Sequence, residues 1–94
     1  MDPKHLIEKP NTIIFFYMDG CPYCIKTEPY WNELKKKYGK VFKFYKVESK
    51  DVDSSLKEIL GLTGFPHFLI NKNGKKINSS GSKECSAGTS TQQF

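Results

Sequence analysis

The chain has 94 residues, enough for one small domain and too few for a second core. Its net charge of +5 comes from lysine alone, and the lack of any arginine argues against base-specific nucleic-acid recognition, which leans on bidentate arginine contacts. Residues 1–11 are polar and carry Pro3 and Pro10. No signal peptide is read there, and the longest apolar run nearby, residues 13–18, is too short to cross a bilayer. The expectation is therefore a cytoplasmic protein with neither membrane nor nucleic acid as a partner. In that setting stable disulfides are uncommon, and a Cys-x-x-Cys is catalytic or metal-binding more often than structural.

Residues 12–18, TIIFFYM, form a continuous β-branched and aromatic run, read as a strand buried on both faces. The stretch DGCP ends it, with Gly20 permitting a sharp turn and Pro22 suited to the first turn of a helix. A helix is predicted from Cys24 to Tyr38 with Gly39 as its cap, Pro29 inside it, and Tyr30, Trp31, Leu34 and Tyr38 as its apolar stripe. A second strand follows over residues 41–47, with Phe42, Phe44 and Lys46 on one face and Val41, Tyr45 and Val47 on the other. The segment DVDSSLKEILGL reads as a helix capped near Asp51, Asp53 or Ser54. A third strand at residues 66–71 and a fourth at residues 75–80 flank an Asn73-Gly74 hairpin. One domain is expected over residues 1–94, with residues 83–94 as a poorly ordered tail. The order of elements implies an α/β fold with a mixed four-stranded sheet.

Cys21 and Cys24 are the chemistry-bearing feature. They sit three apart at a strand-to-helix boundary, where unpaired backbone N–H groups and the helix dipole favour an anion such as a thiolate. Cys21 is the expected nucleophile, attacking a disulfide. Cys24, one turn on and more buried, then attacks Cys21 and releases the reduced product. Pro22 and Tyr23 set the stiffness of the turn. Half of a zinc site, an iron–sulfur cluster bridged between two chains through Cys21, and two inert buried thiols are the competing readings. The remaining ligands for zinc are Cys85, His5 and His67, with no second paired motif, so no metal is expected.

In these features the sequence resembles the thioredoxin superfamily over roughly residues 11–82. Cys-Pro-Tyr-Cys is the tetrapeptide glutaredoxins use, whereas Pro29, Phe65-Pro66 and GFPHFLINKNGKK are similar to thioredoxins and protein disulfide isomerase domains. The resemblance implies a thioredoxin-like fold that lacks the usual N-terminal strand and helix. It also implies a cis peptide at Phe65–Pro66 and a substrate strand held by Phe65, Pro66 and His67. The cofactor is expected to be nothing beyond a redox-active Cys21–Cys24 disulfide. The implied activity is thiol–disulfide exchange with protein substrates, using a reductase or glutathione as electron source. A glutathione-dependent glutaredoxin and a non-enzymatic binding module are the alternatives.

Several positions depart from the family pattern. Phe15 stands where thioredoxins bury a carboxylate, although Lys46 matches the lysine that partners it. Glu48 or Glu28 is the candidate replacement acid, and Lys46 acting alone or through water is the alternative. Met18 occupies the place of a lysine that contacts glutathione in glutaredoxins. Cys85 is read as an accessory thiol in a polar tail, and one face of the sheet is expected to be under-covered.

Overall fold

The computed structural model describes residues 3–86. Eight backbone elements run in order: α1 (Pro3–Leu6), β1 (Thr12–Tyr17), α2 (Pro22–Tyr38), β2 (Lys43–Glu48), a 3-10 turn (Ser49–Asp51), α3 (Ser54–Leu60), β3 (Gly64–Lys72) and β4 (Lys75–Ser86). The sheet order is β2-β1-β3-β4, with β1 parallel to β2 and antiparallel to β3, and β4 antiparallel to β3. This is the mixed four-stranded sheet expected from the sequence, flanked by helices.

β1 is central, and its first five residues are buried, as its unbroken apolar run requires. Alternation divides its side chains between two faces. Phe15 faces α2, where it packs against Trp31 and stacks on Phe68 at ring-centroid distances of 5.3 and 5.0 Å. Phe16 lies on the other face with its register partner His67. The end of α1 is tied to the sheet by buried Asn71, whose Nδ2 donates to the Ile7 carbonyl at 3.0 Å. The same side chain accepts from the Gly74 amide at 2.9 Å and so fixes the hairpin. Asn73 and Gly74 both have positive φ, the geometry that tight antiparallel hairpins need.

Local differences from the sequence reading have identifiable causes. α1 was not anticipated: its four residues are too few for a periodic signal, and it holds because Leu6 and the following Ile7 are buried. α3 starts at Ser54, because Asp53 is its N-cap and accepts from the Leu56 amide at 2.8 Å. It ends at Gly61, whose φ of 64° is left-handed. The α2 stripe is narrower than its periodicity suggests. Trp31 is buried but Tyr30 is 69% exposed, because among the described residues only α2 packs on this face of the sheet. Tyr30, Leu34 and Tyr38 instead line an apolar groove of about 510 Å³ with Ile13, Phe68 and Ile70.

The largest correction concerns β4. It does not stop at residue 80 but runs to Ser86, so residues 83–86 belong to the sheet rather than to a tail. Its register shifts between Phe65 and His67: Ser80 faces His67, whereas Cys85 faces Phe65 and Ser86 faces Gly64. Residues 81–84 therefore stand opposite Pro66 alone, an enlarged bulge that lets pairing resume. Residues 87–94 of the expected tail lie outside the described residues.

Candidate active site

Cys21 is the N-cap residue of α2, in extended conformation, with Pro22 at the first helical position. Its carbonyl accepts the amides of Cys24 and Ile25 at 3.1 and 3.0 Å, which closes the first turn of the helix. Gly20, with φ of 82°, makes the turn before it, and the Cys21 amide donates to the Met18 carbonyl at 3.1 Å. The sequence thus places Cys21 where strand becomes helix, and Cys24 one turn later against the core. The Met18 amide donates to Cys24 Sγ at 3.4 Å. Burial pushes the Cys24 thiol above its ordinary value and the Glu28 charge adds to this, while the Met18 N–H and Lys46 pull the other way. Pro22 is exposed and Tyr23 is half-buried, its carbonyl accepting from Thr27 Oγ1 at 2.8 Å.

The Phe65–Pro66 peptide is cis. Cys21 Sγ lies 3.8 Å from the Phe65 carbonyl oxygen, so the start of β3 forms one wall of the sulfur's surroundings. Cys21 is not bonded to Cys24. Its disulfide partner here is Cys85, with an S–S distance of 2.06 Å and Cα atoms 6.3 Å apart, and Cys24 is a free, buried thiol. The structure thus carries a Cys21–Cys85 bond where a Cys21–Cys24 bond was expected, and the longer β4, which brings Cys85 opposite Phe65, puts those two cysteines within reach. Among the described residues, no three His, Cys, Asp or Glu side chains converge as metal ligands. His67, one of the candidate ligands, is buried, and its Nε2 lies 2.9 Å from Asn78 Oδ1.

The thioredoxin family model matches residues 4–90. The chain belongs to the thioredoxin family. Among solved structures it is similar to oxidised thioredoxin from Plasmodium falciparum, at 28% identity and TM-score 0.65, covering 84% of this chain and 76% of that one. It is also similar to mitochondrial thioredoxin 3 from Saccharomyces cerevisiae, at 22% identity and TM-score 0.66 over 89% and 74% of the two chains. Fasciola hepatica thioredoxin matches at 24% identity and TM-score 0.65 over 86% and 79%. No curated protein sequence matches the chain. The family's chemistry is thiol–disulfide exchange, and at that level the chain is a thioredoxin-family oxidoreductase. Among the described residues, no helix is long and apolar enough to cross a membrane.

Against the thioredoxin pattern, Phe15 fills the position of the buried carboxylate and is fully buried among Tyr17, Trp31 and Phe68. Lys46, its register neighbour on β2, lies over the Tyr17 ring at 4.7 Å and pairs with both Glu28 oxygens at 2.7 and 3.1 Å. Of the two acids considered at this position, Glu28 is the one paired with Lys46, and Glu48 pairs with Lys50. Glu28 is on α2 one turn beyond Cys24, a spacing the sequence displays but does not single out. His67 is held on the sheet face opposite α2, by Phe16 and Asn78. Cys85 was the residue missed: an odd third cysteine was the available signal, but the sequence of residues 81–86 has no strand pattern.

Proposed function

We propose that the chain is a dithiol–disulfide oxidoreductase that reduces protein disulfides, with Cys21 as nucleophile and Cys24 able to resolve. The observation that carries this reading is Cys21 at the N-cap of α2, with its sulfur against the Phe65 carbonyl of the cis-proline loop. Unpaired amides at the start of α2 stabilise a Cys21 thiolate once its sulfur is free. The thiolate attacks one sulfur of a substrate disulfide, forming a mixed disulfide, and the other substrate sulfur leaves as a thiolate that takes a proton from water. Attack on Cys21 by a second protein thiol then releases the remaining substrate thiol. Phe65 and Pro66 offer backbone to an extended substrate strand once the Cys85 segment of β4 has left Phe65. Glu28, paired with Lys46 and close enough for its charge to act on Cys24, is the proposed partner for proton exchange with Cys24 through water. No cofactor beyond the cysteines is required.

A dedicated reductase is the proposed electron source, and the cytoplasm, whose thiol pool keeps such pairs reduced, the proposed compartment. The poor match of Met18 to a glutathione-contacting lysine supports a reductase over glutathione. Reduction of insulin by the protein with excess dithiothreitol tests the activity. Acceleration by the native protein and none by Cys21→Ser supports it. Equal acceleration by Cys21→Ser overturns it. Equilibration against glutathione buffers then separates the subtypes. A reduction potential well below the glutathione poise fits a reductant fed by a reductase, and one near it fits a glutaredoxin.

A further inference from the structure

We propose that Cys85 is a second resolving cysteine: it attacks the mixed disulfide at Cys21, releases the substrate thiol, and leaves the oxidised protein as the Cys21–Cys85 disulfide with Cys24 free. This rests on the reading of Cys21 as the nucleophile. Two features of the fold carry it. The first is the bond itself, which joins residues 64 apart in sequence and has Cys24, only three residues from Cys21, outside it. The second is the backbone register that makes the bond reachable. β4 pairs with β3 as far as Ser80 opposite His67, departs from it across Pro66, and then pairs again at Cys85–Phe65 and Ser86–Gly64. The re-pairing sets Cys85 beside the residue whose carbonyl lies 3.8 Å from Cys21 Sγ. A strand with a cysteine opposite Phe65 delivers a sulfur to Cys21, and the chain supplies such a strand itself.

The state of Cys24 is consistent with a second resolver. Its sulfur is buried and accepts the Met18 amide, and burial pushes its pKa up, which disfavours the nucleophilic thiolate. Cys85 is only partly buried. The exchange balances. The Cys85 thiolate forms a bond to Cys21 Sγ, the bond between Cys21 and the substrate sulfur breaks, and that sulfur leaves with the electron pair and is protonated by water. Over the cycle two protein thiols become one disulfide and one substrate disulfide becomes two thiols. The Cys21–Cys85 and Cys21–Cys24 forms are isomers at one oxidation level, interconverted by Cys24 attacking Cys21 and expelling Cys85. An external dithiol returns either form to three thiols. While the Cys85 bond is closed, Cys21 is 3% exposed and its sulfur is unavailable to substrate, so this isomer is also a self-capped form of the protein.

The test is the lifetime of the covalent adduct between Cys21 and a fluorescent peptide disulfide, followed by intact mass in Cys24→Ser, Cys24→Ser/Cys85→Ser and Cys24→Ser/Cys85→Ala proteins. The adduct in Cys24→Ser is expected to decay at least ten-fold faster than in either double variant. Its decay leaves a protein two hydrogens lighter than the fully reduced chain, whose digest contains the Cys21 and Cys85 peptides linked. Near-ultraviolet circular dichroism confirms that each variant is folded before it is scored. Equal adduct lifetimes in the single and double variants overturn the role of Cys85 while leaving Cys21 as the nucleophile. Failure of the peptide to label Cys21 in any folded variant overturns both readings.

Discussion

Oxidation of the Cys24→Ser protein is expected to stabilise it strongly, because the bond it forms closes a long loop. Cys21 and Cys85 are 64 residues apart. Cross-linking at that separation removes chain entropy from the unfolded state, and the loop-closure relation gives about 4 kcal/mol at 25 °C. The same relation gives only about 2 kcal/mol for the four-residue loop of a Cys21–Cys24 disulfide. Oxidised Cys24→Ser should therefore exceed its own reduced form by about twice the margin that oxidised Cys85→Ser shows over its reduced form. For a domain of this size, about 4 kcal/mol corresponds to a rise in Tm of roughly 15–30 °C. Urea unfolding of each variant, with and without dithiothreitol, measures both margins from the midpoint and the slope. The reasoning fails if oxidised Cys24→Ser gains less than about 1 kcal/mol, since the bridge then distorts the fold by nearly as much as it restrains the unfolded chain. It also fails if the gain in Cys85→Ser equals or exceeds that in Cys24→Ser.

Phe15→Ala empties a fully buried site among Tyr17, Trp31 and Phe68, and should cost about 3–5 kcal/mol in urea unfolding; a cost below about 1 kcal/mol would contradict the packing described. With Cys21 and Cys85 bridged, Cys24 is the only thiol left, so iodoacetamide labelling against pH reads it alone. Under those conditions Glu28→Gln should lower the labelling pKa and Lys46→Met should raise it, and shifts of the same sign would exclude direct charge effects. Because the folded-state pKa of Cys24 is raised, its linkage stabilises the fold below its ordinary value of 9.0 and is lost as pH rises beyond that. Comparing urea midpoints of the native protein and Cys24→Ala from neutral pH upward should show a steeper loss in the native protein. Asp53 has the opposite sign: the Leu56 amide holds its pKa down, so its contribution is present above the ordinary carboxylate range and lost as pH falls through the lowered value. Asp53→Ala should lower the thermal midpoint at neutral pH and flatten the acid limb, as melts across acidic pH would record.

The sequence by itself determined the parts of this protein that are governed by neighbours in the chain. Residues 12–17 are a strand because β-branched and aromatic side chains suit a pleated surface buried on both sides, and Pro22 starts a helix because its missing N–H is not needed there. Asn73-Gly74 is a hairpin because both residues tolerate positive φ. Those local rules were enough to set Cys21 at a helix start with Cys24 one turn on, and the resemblance they revealed was enough for the family. What only the tertiary structure decided depends on which distant segments meet. Lys46 pairs with Glu28 rather than Glu48 because α2 brings Glu28 beside β2, whereas the sequence left the two acids equally plausible. The partners of His67 were likewise set by the fold: alternation along β3 turned it to the Phe16 face, where Asn78 holds it. Cys85 joined Cys21 through a bulge and a resumed β3–β4 pairing. Neither leaves a periodic signal in a stretch as polar as residues 81–86, because backbone pairing is set by the neighbouring strand and asks little of the side chains themselves.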